Sequence, residues 1–287
     1  MNFSFTGFAD EADKTLTGQI NTLKLAGWKA IELRLIEGGN VCDLSDEAWA
    51  AVRDQLAEAG IEVVGFGGQI GNWARPITSD FQKDLDELER VAPRMREVGC
   101  KFLRIMSYPN DPDNPLPKNE YRDEAIRRLT ILADKAEKEG IVLVHENCSG
   151  YGETLAECLE LLEAVPNPAL QLVMDTGNSS LHDNDIEATW EYYQATRNRT
   201  AHVHIKSAKA NPEGGDYITC FPHEDPVQER ILKDLVRTGY EGWLSIEPHI
   251  MAAVHAGKDV EDAEAAVKVW VDYAKELEAL AREAEAG

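Results

Sequence analysis

A (β/α)8 barrel, the TIM-barrel architecture, occupying residues 1–287 as a single α/β domain with a C-terminal helical tail, is the fold that the sequence predicts. Three observations carry that prediction. Eight strand-then-helix units follow one another with Gly or Asn-Pro between each helix and the next strand, at one unit per ~35 residues, the spacing of a barrel of ~250 residues. No G-x-G-x-x-G follows the first apolar run, as a dinucleotide-binding open sheet would require. Metal-capable side chains end the fifth, sixth, seventh and eighth strands, and such ends lie in a row along an open sheet but converge over one mouth in a barrel.

The first strand is Phe3 to Phe8, followed by acidic Asp10-Glu11-Ala12-Asp13 and a helix with Leu16, Ile20, Leu23 and Ala26 at helical spacing, closed by Gly27. Ala30 to Ile36 alternates with period two, and Asp43-Leu44-Ser45-Asp46 caps a helix carrying Trp49, Val52 and Leu56. Ile61 to Phe66 is the third strand, and a Gly-rich loop over 67–79 holding Asn72-Trp73-Ala74-Arg75-Pro76 leads to a helix from about Asp80 to Val98. Phe102 to Met106 is the fourth strand, and after the Pro- and Asp-rich loop 108–118 comes a helix with Ala125, Leu129, Leu132 and Ala136. The fifth strand, Ile141 to Val144, leads into His145-Glu146-Asn147, and Leu155, Leu159, Leu162 and Val165 mark the next helix. Leu170 to Met174 delivers Asp175, Ile186 to Ala195 is helical, Thr200 to Ile205 is extended, Val227 to Val236 is helical and Trp243 to Ile246 is the last strand. The Ala/Glu-rich tail, Glu261 to Ala286, reads as one more helix.

A chain of 287 residues, 43% of them apolar, has enough material for a substantial core. Its 52 acidic against 29 basic residues give a formal charge of −23, which disfavours nucleic acid, whose binding needs clustered Lys and Arg to release counterions. Five cysteines (Cys42, Cys100, Cys148, Cys158, Cys220) without a CxxC pair read as reduced thiols. The N-terminus lacks a basic region followed by an apolar one, and no window approaches the ~18 apolar residues of a membrane span. A cytoplasmic, oligomeric protein with neither nucleic acid nor membrane as partner is the expectation.

Glu146, Asp175, His204 and Glu247 stand where barrel enzymes keep their sites, at the C-terminal ends of strands. Singly each would read as a helix cap or loop hydrogen bonder; on four consecutive strands they form a candidate ligand set for one divalent ion. Three carboxylates and one imidazole suit Mn²⁺, with Mg²⁺, Co²⁺ or Zn²⁺ as alternatives, and the absence of thiolates argues against a closed structural zinc site.

The stretches His145-Glu146-Asn147, Asp175-Thr176-Gly177-Asn178, His202-Val203-His204-Ile205-Lys206 and Ile246-Glu247-Pro248-His249 resemble those of the xylose isomerase-like barrels of sugar isomerase/epimerase type. That family includes tagatose 3-epimerase-like enzymes, inosose dehydratase and endonuclease IV. The resemblance spans nearly the whole chain and implies that Glu146, Asp175, His204 and Glu247 hold one divalent ion, often Mn²⁺. Two features depart from the ketose 3-epimerases: Asn178 stands where they place a substrate-binding His, and Lys206-Ser207-Ala208-Lys209 follows the strand-seven His. The segment His145 to Tyr151 looks more like the large subunit of bacterial C-glycoside deglycosidases, which resemblance implies cleavage of a 3-oxo-glycoside by proton abstraction and a small β-rich second subunit.

Both branches remove a proton next to a carbonyl. His145 is the base implied by the deglycosidase resemblance, and Glu146 or Glu247 by the epimerases. Strand alternation places His145 and Glu146 on opposite faces, so only a bulge or the strand's end would bring both into the mouth. Asn147, Asn178, Lys206, Arg104, Trp73 and His249 are candidate contacts for a sugar or glycoside, with His255, Tyr108 and Phe221 as further groups beyond the strands. His202, deeper on the same face as His204, reads as a hydrogen-bonded core residue. The leading expectation is a metal-dependent carbon–carbon lyase of the deglycosidase kind; a ketose or inosose isomerase, epimerase or dehydratase is the alternative, and a non-catalytic sugar-binding barrel the third.

Overall fold

The structure, a computed structural model, describes residues 1–250 and 263–286. Eight parallel strands, β1 (Ser4–Gly7), β2 (Ala30–Leu33), β3 (Glu62–Gly67), β4 (Phe102–Ser107), β5 (Val142–Gly150), β6 (Leu170–Asp175), β7 (Thr200–Ile205) and β8 (Trp243–Ile246), pair in the order β1-β8-β7-β6-β5-β4-β3-β2. β1 and β2 lie against each other across the remaining seam, so the sheet is a nearly closed barrel, as expected.

The helices are α1 (Leu16–Ala26), α2 (Asp46–Ala59), α3 (Gln82–Val98), α4 (Lys118–Glu139), α5 (Leu155–Ala164), α6 (Asn178–Asp183), α7 (Ile186–Thr196), α8 (Pro226–Thr238) and α9 (Ala263–Ala286). Several of their starts are satisfied by side-chain caps: Thr15 accepts from the Gly18 N–H, Ser45 from Ala48 and Asp225 from Val227. Five of them end on a left-handed glycine, which frees the chain to turn straight into the next strand or turn. The expected helical tail is α9, and it takes the eighth helix position, packed between α8 and α1 with Trp270 donating to the Phe8 carbonyl at 3.1 Å and meeting the Trp28 ring edge-on.

Toward the C-terminal mouth most strand residues are buried on both faces, but by different chemistry. Residues pointing outward, such as Leu143, Leu172, Val203, Ile205, Leu244 and Ile246, form the apolar layer under the helices. Those pointing inward include Glu32, Arg34, Arg104, Glu146, Asp175, His202 and His204, all buried. The stretch 30–36 does not continue as one strand: β2 ends at Leu33, and Leu35–Ile36 pairs antiparallel with Gly39–Asn40 around a turn in which Glu37 has positive φ. Also absent from the sequence reading are α6, inserted between Asp175 and α7, and a short antiparallel pair of Ala208–Lys209 with Ile218–Thr219 after β7. Among the described residues no helix is long and apolar enough to cross a membrane.

Candidate metal centre

Parallel register brings the four expected ligands to one end of the barrel. Asp175 lies opposite His204 across β6 and β7, His204 opposite Ser245 across β7 and β8, and the Glu247 N–H continues the ladder to the Ile205 carbonyl at 3.0 Å. Glu146 is the last residue of β5 paired with β6, opposite Val173. Ligand atoms of Glu146, Asp175, His204 and Glu247 all lie within 4.8 Å of one another, and all four residues are buried.

Each of three side chains is held by its outer atom, which aims the other inward. The Gly177 and Asn178 N–H groups donate to Asp175 Oδ1 at 2.9 and 2.8 Å. His204 Nε2 meets Glu32 at 3.1 and 3.2 Å, and Arg34 together with His249 holds Glu247 Oε1. The inner atoms, Asp175 Oδ2, Glu247 Oε2 and His204 Nδ1, are buried without a hydrogen bond. Two anionic oxygens and an imidazole nitrogen turned toward one point, with Glu146 beside them, fit a divalent cation. Glu146 Oε1 accepts from the Asn178 amide at 3.1 Å, and Arg104 stands 3.5 Å from Oε2.

The electrostatics follow from burial set against neighbours. Burial alone would push the Glu247 carboxyl up, but Lys206, His249 and Arg34 outweigh it and hold the group well below the usual carboxylate range. Burial likewise opposes the charge on Glu32, yet the His204 and His202 imidazoles keep it well below that range. His204, whose burial would lower it, is raised by Glu32, Glu146 and Glu247, the same field that would draw in a cation.

Two residues of this frame are absent from the sequence reading. Glu32 accepts from His202 at 2.8 Å as well as from His204, and Arg34 bridges Asp10 (2.8 Å), Glu11 (3.3 Å) and Glu247. Their signal was the spacing of two charges, two apart, in the apolar run 30–36, which puts both on one face of a strand.

The remaining candidates divide. Lys206 reaches the cluster, 3.0 Å from Asp175 Oδ2, and Asn178 joins Lys206 to Glu146. His249 stands at the rim beside Glu247 and Glu11, and Arg104 is inward and buried. Asn147 is spent on structure: its side chain accepts from the Asp175 N–H at 2.8 Å and donates to the Asp175 carbonyl and Ser179. Trp73 is on the surface, 55% exposed, in the loop before α3. Tyr108 does not offer its ring to the mouth, because it is fully buried with its hydroxyl on Asp84 at 2.9 Å. Phe221 is partly buried against Tyr273, His202 is on Glu32 as expected of a core residue, and His255 lies outside the described residues.

His145 is not brought to the cluster. β5 keeps its alternation, so the imidazole faces the helix layer, against Gly152, where an added Cβ would lie 3.1 Å from the ring and 3.2 Å from Leu161. Neither ring nitrogen has a hydrogen bond, and burial alone lowers the group to about 4.

Comparison with known proteins agrees with this architecture. The chain is 24% identical to a putative hydroxypyruvate isomerase of Streptomyces coelicolor over 69% of this chain and 72% of that one. It is 24% identical to an inosose dehydratase of Lacticaseibacillus casei over 45% of this chain, a match that spans about half of that relative, 49%. A xylose isomerase-like TIM barrel protein from Mycobacterium smegmatis, in complex with magnesium, superposes with a TM-score of 0.68 at 17% identity over 95% of this chain and 97% of that one. Residues 20–274 match the family described as xylose isomerase-like TIM barrel, and the chain belongs to that family.

Proposed function

We propose that the chain is a metal-dependent isomerase, epimerase or dehydratase that removes a proton next to the carbonyl of an unphosphorylated keto-sugar or inosose. The observation that carries this reading is the trio of inward atoms without hydrogen bonds, Asp175 Oδ2, Glu247 Oε2 and His204 Nδ1, with Glu146 beside them at the C-terminal mouth of the barrel. The names of the relatives, an isomerase and a dehydratase, support the same chemistry.

Glu146, Asp175, His204 and Glu247 would hold one divalent ion, and the set of three carboxylates and one imidazole suits Mn²⁺ or Mg²⁺. When bound, the ion supplies a Lewis acid beside the substrate carbonyl. The chain's own groups supply the rest. Arg104 and Lys206 place N–H donors at the mouth for hydroxyl oxygens, and His249 does so at its rim. Glu146 and Glu247 stand three strands apart around the barrel, so one carboxylate can take a proton from one side of a bound sugar while the other returns it.

The C-glycoside-cleaving lyase, the leading expectation from the sequence, depends on His145 as the base, and the isomerases and dehydratases among the relatives favour what was there the alternative. With the imidazole turned to Gly152 and Leu161, that branch loses the residue that set it apart, and a β-rich second subunit is not part of the reading. The test is incubation of the Mn²⁺-loaded protein in D₂O with a panel of ketoses, inososes and 3-oxo-glycosides. Deuterium entering one carbon next to a carbonyl of a ketose or inosose is expected. Binding of the sugar with no exchange at any carbon would overturn the enzyme reading in favour of a sugar-binding barrel.

A further inference from the structure

We propose that Lys206 is a built-in counter-cation of this centre, which a divalent ion has to displace, and that Asn178 is the partner that keeps the lysine when it is displaced. The inference rests on the metal reading above.

Lys206 follows His204 by two residues and so enters the barrel on the same face, where its side chain is buried. Its ammonium lies 3.0 Å from Asp175 Oδ2 and 3.4 Å from Glu247 Oε2. Those are the two carboxylate oxygens that accept no hydrogen bond, so the lysine and a divalent ion draw on the same lone pairs. Gly177 allows the close fit: a Cβ there would stand 2.8 Å from Lys206 Cγ and from its carbonyl oxygen. Without a cation of some kind, the carboxylates of Glu146, Asp175 and Glu247 would face one another in a buried space with nothing to offset their repulsion.

The third partner of the ammonium gives the exchange a second resting place. Asn178 Oδ1 accepts from Lys206 at 3.0 Å, while the Asn178 amide nitrogen donates to Glu146 Oε1 and its backbone N–H to Asp175 Oδ1. Asn178 is thus fixed at both ends by the ligand set, and a lysine that leaves the two carboxylates still has an acceptor beside them. Uptake of the ion then converts Lys206 from an internal ion pair into a donor available to a substrate oxygen. A lysine that merely braced Asp175 would behave in the opposite way, because its removal would loosen a ligand and weaken metal binding.

The experiment titrates Mn²⁺ by calorimetry into metal-free wild type, Lys206→Met and Lys206→Gln, with melting temperatures taken with and without Mn²⁺. Both variants should bind Mn²⁺ roughly ten- to a hundredfold more tightly, as expected from removing a cation adjacent to a divalent ion. Their metal-free melting temperatures should fall, so that Mn²⁺ raises them by more than it raises the wild type. A variant that folds only with Mn²⁺ is the extreme of the same shift and supports the proposal. In the lysine-labelled wild type, saturation with diamagnetic Mg²⁺ should move the Lys206 side-chain resonance, a readout independent of any variant's folding. Wild-type binding with variants no tighter, or an unmoved Lys206 resonance at saturation, overturns this inference alone. If none of the three proteins binds metal, the metal reading falls and this inference with it.

Discussion

Glu32 and His204 meet through the His204 Nε2 atom at 3.1 and 3.2 Å, and that contact turns Nδ1 toward Glu247 Oε2, 3.8 Å away. A carboxylate on the outer nitrogen of a ligating imidazole fixes both ring orientation and tautomer, and losing such a partner typically costs ~10–100-fold in metal affinity. Glu32→Gln should therefore weaken Mn²⁺ binding by about that factor while leaving all four ligand side chains in place. Titration calorimetry on the metal-free protein measures it, and an unchanged affinity would reduce Glu32 to a packing role.

His145 faces away from the cluster, so its replacement should spare the chemistry. His145→Leu is expected to keep its metal content and to turn over within a few-fold of wild type in the deuterium-exchange assay. If His145 were the base, the loss would be of the order of ~10²–10⁴-fold with metal retained. Metal content measured on the same sample separates the two outcomes.

How much of this was legible in the sequence depended on which side of the strand carried the polar residue. Glu146, Asp175, His204 and Glu247 each stand at or beside the end of an apolar, β-branched run, so metal-capable side chains at four successive strand ends stood out. Glu32 and Arg34 sit inside an alternating stretch, where period two ordinarily means polar to solvent and apolar to core. In this barrel the outward face is the apolar one, covered by helices, and the charges point to the interior, so the same alternation carries the reverse meaning. Helix α6 escaped because Asn178-Ser179-Ser180-Leu181-His182-Asp183 has too few apolar positions to show a helical period. Tyr108 looked like a loop aromatic because its partner, Asp84, comes from another helix, 24 residues away in sequence.

Asp225 makes the stability of the chain depend on pH. Its carboxylate caps α8 through the Val227 N–H at 2.8 Å and accepts from Ala208 at 3.0 Å, but burial pushes it up to about 6. Between the unfolded value of ~3.9 and about 6, the folded chain keeps a proton that the unfolded chain has released. The stabilisation is therefore full below the lower value and is lost as pH rises through the upper one, a swing of about 3 kcal/mol. Asp225→Asn keeps the capping oxygen and removes the ionisation. The stability difference between wild type and variant in urea should shift by about 2 kcal/mol between pH 4 and 7, in favour of the variant at the higher pH; a flat difference would contradict the burial argument.

The cations at the mouth are already engaged by carboxylates, which bears on the substrate. Arg34 is shared among Asp10, Glu11 and Glu247, and Arg104 stands 3.5 Å from Glu146. A phosphate would have to compete with these carboxylates for both arginines, and it would add two negative charges to a buried site that holds more acids than bases. A neutral polyol makes no such demand, since its hydroxyls can accept from Arg104 or Lys206 and donate to a carboxylate without displacing either. Unphosphorylated ketoses or inososes should therefore exchange deuterium faster than their phosphate esters and raise the melting temperature of the metal-loaded protein more at equal concentration. Phosphate esters that exchanged far better than the free sugars would show that the engaged arginines are released for an anion, and the substrate class proposed above would have to change.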